Sequence, residues 1–194
     1  LFYTHPSSRG RLTRWMLEET GLPYEEVILG FDGAMKTPEY LAINPMGKVP
    51  ALQDGTATMG EAAAICAYVA ERCPEAKLAP PLGDPARAKY LYWLFFGPSC
   101  IEPAIVQLAT KIDMNPVAAG WGDAQRVIDV LDAALQKGPW LLGETFSAAD
   151  IVIGSGLNFG VRLFKMIPSR PSFDAYIARC MARPAFQRAE QIAA

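Results

Sequence analysis

The alternation of apolar and polar positions changes character once along the chain, near residue 75. Before that point, short apolar runs alternate with amphipathic ones. Residues 1–4 read as an apolar strand, and residues 24–29 alternate enough for a second. Between them, from residue 9 or 10 to residue 20, Leu12, Trp15, Met16 and Thr20 fall on one helical face, and Gly21 and Pro23 supply the stop. Strand, helix and strand in that order predict a right-handed parallel crossover. After a loop over residues 30–36, Thr37-Pro38-Glu39 starts a short helix ending near Ile43, with Thr37 as N-cap and Pro38 in the first turn. Residues 51–53 and 56–59 read as strands joined by the Asp54-Gly55 hairpin turn. Gly60-Glu61 then opens a helix with apolar residues at 62, 65, 66, 69 and 73.

Cys73-Pro74 ends that helix, and Pro80-Pro81-Leu82-Gly83-Asp84-Pro85 is the clearest linker signal in the chain. Everything beyond it reads helical. Residues 87–108 carry an aromatic run, with kinks expected at Pro98 and Pro103. A helix over about 122–137 turns Val127, Val130, Leu131, Ala134 and Leu135 inward. Ser147-Ala148-Ala149-Asp150 is a capping-box variant, with Phe146 and Ile151 placed for a hydrophobic staple. The helix it starts is apolar nearly all round, as expected of one running through the middle of a bundle. Residues 172–181 and 184–192 close the chain. The order β-α-β-α-β-β-α followed by helices alone predicts a thioredoxin-like α/β domain over residues 1–75, a linker over 76–84 and an all-helical domain over 85–194.

Composition removes several classes of function. The 194 residues suit one large domain or two small ones, with an ordinary globular balance of 51% hydrophobic and 20% charged residues. A formal net charge of −2 gives no basic field, so nucleic acid is not an expected partner. Cys66, Cys73, Cys100 and Cys180 form no Cys-x-x-Cys pair, and the single histidine completes no familiar zinc set. No metal is expected, and without a Gly-rich phosphate loop no nucleotide is either. Residues 151–167, the longest apolar run, are broken by Asn158, Arg162 and Lys165, too polar and too short to span a bilayer. Reduced thiols and the lack of a signal-peptide pattern at the start predict a cytoplasmic protein. Leu1 already stands in a strand pattern, so an initiator Met and a residue or two are expected to precede it.

The chemistry concentrates in residues 44–65. Asn44-Pro45 stops the preceding helix, Gly47 permits a turn, and Val49-Pro50 opens a strand. Proline has no N–H and belongs at a strand's start or edge, which leaves the backbone N–H and C=O of Val49 free. Close by, a helix N-terminus opens on the carboxylate of Glu61. Such a corner holds an extended peptide-like ligand: backbone pairing at Val49, an anionic end on the helix N–H groups, an ammonium on Glu61.

The run Asn44-Pro45-Met46-Gly47-Lys48-Val49-Pro50-Ala51-Leu52, the Asp-Gly hairpin and the Glu61-led Ala-rich helix resemble the glutathione-binding half of cytosolic glutathione transferases of bacterial type. The Ser-x-x-Asp box on a core helix resembles the helical half of the same family. The resemblance implies a cis peptide at Val49-Pro50 and pairing of Val49 with the cysteinyl unit of glutathione. It implies that Glu61 and Ala62 hold the γ-glutamyl end. Ala62 departs from the family, since many members carry Ser there; a hydroxyl contact is missing while the backbone N–H remains. Family members also place a Tyr, Ser or Cys near the first turn, where it donates to or reacts with the sulfur. Counting from Tyr3, that position is Ser8, with Ser7 second.

Each candidate also has a structural reading. Ser7 and Ser8 stand where the first strand meets the first helix, as turn or N-cap serines do. Arg9, Arg11 and Arg14 crowd a helix start, where the macrodipole disfavours cations; they are solvated, or one of them faces an anion, Arg9 being best placed. Lys48 is an exposed turn lysine or a partner for the glycyl carboxylate. Asp150 is a cap, and His5 is left without a role. Trp93, Phe96 and Cys100 share a helical face as core or as the lining of an apolar electrophile pocket.

The expectation is therefore a glutathione transferase that joins the glutathione thiolate to a small apolar electrophile. Glutathione is a cosubstrate, no cofactor is needed, and the resemblance implies a homodimer. Two alternatives stand beside it. One is a non-catalytic binding or scaffold protein of the same architecture. The other is a glutathione-dependent isomerase, dehalogenase or ether-cleaving enzyme.

Overall fold

The computed structural model describes residues 1–192. The chain forms two compact units: Leu1–Ala76 with the residues from Arg183 onward, and Lys77–Ala182. The fold class is the expected one, a small mixed sheet with helices followed by a helical region.

In the first unit, β1 (Phe2–Thr4), α1 (Gly10–Thr20) and β2 (Glu26–Ile28) make the predicted parallel crossover. A 3-10 turn and the short α2 (Pro38–Leu41) follow, the latter capped by the Thr37 hydroxyl, which accepts the Tyr40 N–H. The hairpin β3 (Ala51–Asp54) and β4 (Ala57–Met59) leads into α3 (Ala62–Arg72). Sheet order is β2-β1-β3-β4, with β3 antiparallel to both β1 and β4. Tyr3, Met35, Tyr40 and Ala51 form a small buried core, with Val27, Leu29, Ile43 and Val49 packed against it. Gly10 lets α1 approach β1, since a Cβ there would lie 1.9 Å from Thr4 Oγ1.

Two features of this unit were not expected. The final helix, α9 (Pro184–Ile192), packs on α1. Arg183 bonds Glu19 at 2.5 and 2.7 Å, Arg188 bonds Glu18 at 2.9 Å, and Arg11 pairs with Glu190. Arg14 is neither solvated nor facing an open anion site. It is fully buried and ion-paired to Glu26 in β2, with contacts of 2.6 and 2.8 Å. Arg11 and Arg14 thus find carboxylates on other elements, which helical periodicity does not reveal.

The second unit contains α4 (Ala86–Phe96), α5 (Glu102–Thr110), α6 (Ala124–Leu135), α7 (Ala148–Leu157) and α8 (Pro171–Met181). Between α4 and α5 the kinked helix predicted over 87–108 passes through a π-helical turn, Gly97–Ile101. Pro98 and Pro103 supply no N–H, so the ladder loosens to a wider repeat there instead of breaking. At Gly97 α7 also comes close, since a Cβ there would meet Val152 Cγ1 at 2.4 Å. Every residue of α7 is buried, as its all-round apolar pattern predicts. Its capping box forms: Asp150 accepts from the Ser147 N–H at 2.9 Å and the Ser147 hydroxyl at 3.0 Å. Asp150 Oδ1 further accepts from the Leu141 N–H and the Tyr176 hydroxyl, each at 2.9 Å.

Four donors in a dry interior make Asp150 the polar anchor of this unit. Removing it strands all four, at about 1–3 kcal/mol for each group that finds no substitute. Asp150→Ala is expected to lower unfolding stability by at least about 3 kcal/mol, read as a fall in urea midpoint, whereas Asp174→Ala on the exposed start of α8 changes it little.

Candidate functional site

Three corners of the chain meet at one end of the first unit's sheet. Tyr3 lies opposite Ala51 and Leu52 opposite Met59, so the end of β1, the start of β3 and the end of β4 coincide. The turn over residues 5–9, the loop over 44–50 and the entry to α3 therefore share that end. This brings Ser7, Ser8 and Arg9 to the same sheet end as Lys48, Val49, Pro50, Glu61 and Ala62.

The 44–50 loop is held by side chains from elsewhere. Lys36 Nζ donates to the carbonyls of Met46 and Gly47 at 3.1 and 2.9 Å. The Tyr40 hydroxyl and the Asn44 amide both donate to the Lys48 carbonyl, at 2.6 and 2.8 Å. Burial pushes the Tyr40 phenol up to about 12, so it remains a donor through the neutral range. Gly47 adopts φ 57°, and a Cβ there would lie 2.6 Å from the Met35 carbonyl oxygen, so only glycine fits. The Val49-Pro50 peptide is cis, as the resemblance implied. Among the described residues, no backbone bond engages the Val49 N–H or C=O. The Lys48 side chain is exposed.

Asn44, 6% exposed, also joins this loop to the next corner, since a Cβ on Gly60 would fall 2.9 Å from its amide nitrogen. Glu61 follows at φ 61°, ψ 109°, a region that side-chain-bearing residues rarely adopt. It stands as the N-cap, outside the helix, where the sequence pattern had put it in the first turn. The chain has to reverse sharply between β4 and α3, and Glu61 takes that turn. Strain of this kind persists where the surroundings impose it and is concentrated at functional sites. The Glu61 side chain is exposed and does not cap the helix. The first intrahelical bond runs from Ile65 N–H to the Glu61 carbonyl at 3.0 Å, so the N–H groups of Ala62, Ala63 and Ala64 have no acceptor within the helix. An anion at that point gains both the donors and the helix dipole.

The Ser8 hydroxyl donates to the His5 carbonyl at 2.7 Å and accepts the Gly10 N–H at 3.0 Å. Ser7 is exposed, and its N–H donates to His5 Nδ1 at 3.0 Å. Arg9 is half-buried and forms the N-cap of α1.

In the helical unit, Trp93 and Phe96 are buried with ring centroids 5.2 Å apart, and the exposed Tyr92 ring touches both. Cys100 lies one turn on, half-buried, and burial pushes its thiol up, away from nucleophilic character. The Trp93 indole N–H is buried with no hydrogen-bond partner, which leaves a donor inside this aromatic group. The sequence reading missed a cavity of about 310 Å³ further along. It is lined by Pro98, Pro103 and Val106 and by Ile112, Met114 and Trp121. Its signal was faint, because the last three lie in a stretch without helical periodicity. Among the described residues, no group of three His, Cys, Asp or Glu residues is placed to hold a metal, and no helix is long and apolar enough to cross a membrane.

Comparison with known proteins gives a consistent pattern. Residues 6–72 match the glutathione S-transferase N-terminal domain, and residues 115–157 match the C-terminal domain. A probable glutathione S-transferase of Oryza sativa subsp. japonica, GSTF2, is 31% identical over 188 residues, covering 89% of this chain and 86% of its own length. The disulfide-bond oxidoreductase YfcG of Escherichia coli is 30% identical over 198 residues, covering 94% and 90%. A glutathione transferase family member from Pseudomonas fluorescens, solved with two glutathione molecules bound, superposes with a TM-score of 0.82 at 27% identity, covering 97% of this chain and 90% of that one.

The Glu61 backbone gives a test independent of any ligand. Glycine tolerates positive φ, whereas alanine keeps the steric conflict. Glu61→Gly is expected to be more stable than Glu61→Ala by about 1 kcal/mol in urea unfolding.

Proposed function

Because the chain belongs to the glutathione S-transferase family, we propose that it binds glutathione at this sheet end and transfers the thiolate sulfur to a small apolar electrophile. The observation that carries the reading is the convergence of an open backbone edge at Val49 with an uncapped helix N-terminus at Ala62. An extended tripeptide-like ligand needs both. The cysteinyl N–H and C=O pair with Val49, beside Pro50. The γ-glutamyl carboxylate sits on the Ala62 and Ala63 N–H groups, its ammonium beside Glu61, and the glycyl carboxylate lies near Lys48. The sulfur then lies by the Ser7–Ser8 turn, and Trp93, Phe96 and Cys100 contribute the electrophile pocket. A cytoplasmic homodimer acting in detoxification completes the proposal, with glutathione binding assigned to residues 1–75, a linker over 76–84 and the electrophile pocket within 85–194.

In the reaction the thiol loses its proton to solvent, the sulfur lone pair forms a carbon–sulfur bond, and the leaving group departs with the displaced electron pair. A free thiol has a pKa of about 8.5, so the site must favour the anion. The Ser8 hydroxyl serves as donor. Its oxygen is fixed by the Gly10 N–H, so only the hydrogen has to rotate from the His5 carbonyl to the sulfur. That carbonyl keeps the Ser8 N–H at 3.0 Å, so it is not left unpaired. Arg9 and the helix N-terminus add positive potential.

A second reading, disulfide reduction, is favoured by the kinship to YfcG and by the neighbour with two glutathione molecules. There two glutathione thiols become one glutathione disulfide while the substrate disulfide gains two electrons and two protons. Ser8 in place of a cysteine means that a second glutathione would resolve the mixed disulfide. Assaying the protein with an aryl halide and with a small disulfide separates the two reactions, and the absence of glutathione binding would leave a scaffold role.

Two outcomes follow for the ligand end and the sulfur end. In titration calorimetry, Glu61→Ala weakens glutathione binding, while Ala62→Ser restores a charge-assisted hydrogen bond and tightens it about tenfold; neither change occurring would put the γ-glutamyl end elsewhere. Ser8→Ala raises the pKa of bound thiol by about one unit, read by thiolate absorbance, and slows conjugation about tenfold at nearly constant affinity.

A further inference from the structure

The Ser7–Ser8 turn is organised by one residue, His5. Its carbonyl accepts both the Ser8 hydroxyl at 2.7 Å and the Ser8 N–H at 3.0 Å. Its Nδ1 accepts the Ser7 N–H at 3.0 Å. A ring nitrogen that accepts carries no hydrogen, so the neutral imidazole has its proton on Nε2. This bond from a side chain to the N–H two residues on is the one an Asn or Asp makes in an Asx-turn. The imidazole is itself held by a ring contact with Phe31, centroids 4.1 Å apart at 48°, and Phe31 is 67% exposed. A large apolar side chain this exposed gains little from burial, and its ring packs against His5. Pro6 fixes φ between the acceptor and the two serines.

We propose that His5 is the positioning residue for thiol activation, with Phe31 as its clamp: acceptance of the Ser7 N–H by Nδ1 fixes the turn that sets the Ser8 oxygen at the sulfur. The proposal rests on the reading that the glutathione sulfur lies at this turn. In this role His5 acts through Ser8.

The bond and the ring contact can be separated by substitution. His5→Asn keeps an acceptor for the Ser7 N–H through Oδ1 but loses the ring; His5→Phe keeps a ring against Phe31 but loses the acceptor. Each variant is tested for folding by urea unfolding, for glutathione affinity by calorimetry and for bound-thiol pKa by thiolate absorbance, alongside kcat with an aryl halide. His5→Phe is expected to lower kcat about tenfold and raise the thiol pKa by about one unit, with affinity unchanged, as expected when one hydrogen bond of the turn is lost. His5→Asn is expected to stay within about threefold of the unsubstituted protein. Rescue by Asn with failure of Phe supports positioning through the acceptor. Equal loss in both variants, or no loss in either while Ser8→Ala still shifts the thiol pKa, overturns this role and leaves the glutathione site intact. Absence of glutathione binding by the unsubstituted protein overturns both.

Discussion

Three side chains, Lys36, Tyr40 and Asn44, donate to the backbone carbonyls of residues 46–48, and the geometry of the ligand edge depends on those bonds. A loop that carries cis-Pro50 and an open Val49 backbone has no ladder of its own to stabilise it. Its carbonyls at residues 46–48 are instead taken by side-chain donors, while the Val49 N–H and C=O stay out of the backbone bonding. Asn44 extends the same constraint to Gly60, and so to the turn that starts α3. Because β3 runs antiparallel to both neighbours, the fixed loop lies at the sheet end where β1 finishes and α3 begins.

At that end the usual local rules are broken in a consistent way. Glu61 sits in a backbone conformation that disfavours a side chain, and the helix after it has no side-chain cap. Side chains cap three other helices, Thr37 at α2, Asp123 at α6 and the Ser147–Asp150 box at α7, whereas the N-cap residues of α1 and α8, Arg9 and Arg170, supply no side-chain cap either. What distinguishes this entry is the Glu61 backbone, at φ 61° and ψ 109°, beside N–H groups that have no acceptor within the helix. The cationic excess at the start of α1 has the opposite character. Arg11 and Arg14 are neutralised by Glu190 and Glu26, so they hold the unit together and do not serve the site.

The element order, the hairpin, the capping box at Asp150 and the buried course of α7 were legible because each depends on residues close in sequence. The corner formed by Val49, Pro50 and Glu61 was legible for the same reason, aided by the family resemblance. The Glu61 conformation was not, since glutamate carries no preference for positive φ and the reversal is imposed by β4 and α3 together. Arg14 read as a surface charge because its partner lies across the crossover in β2. The packing of α9 on α1 depends on pairs such as Arg183–Glu19, separated by most of the chain. The π-helical turn at Gly97–Ile101 was not legible, because Pro98 and Pro103 signal a loosened ladder without saying whether it bends or widens. The role of His5 emerged only from the direction of its hydrogen bonds.

The central claim is that one end of the first unit's sheet takes an extended glutathione along Val49 with its γ-glutamyl end on α3. Amide resonances followed during titration with glutathione test it directly. The account predicts that the Val49, Ala62 and Ala63 amides shift together along one saturating curve, while the Asp54-Gly55 hairpin at the opposite end of the sheet stays still. Shifts confined to that hairpin or to the helical unit, or no shift at saturating glutathione, would contradict it.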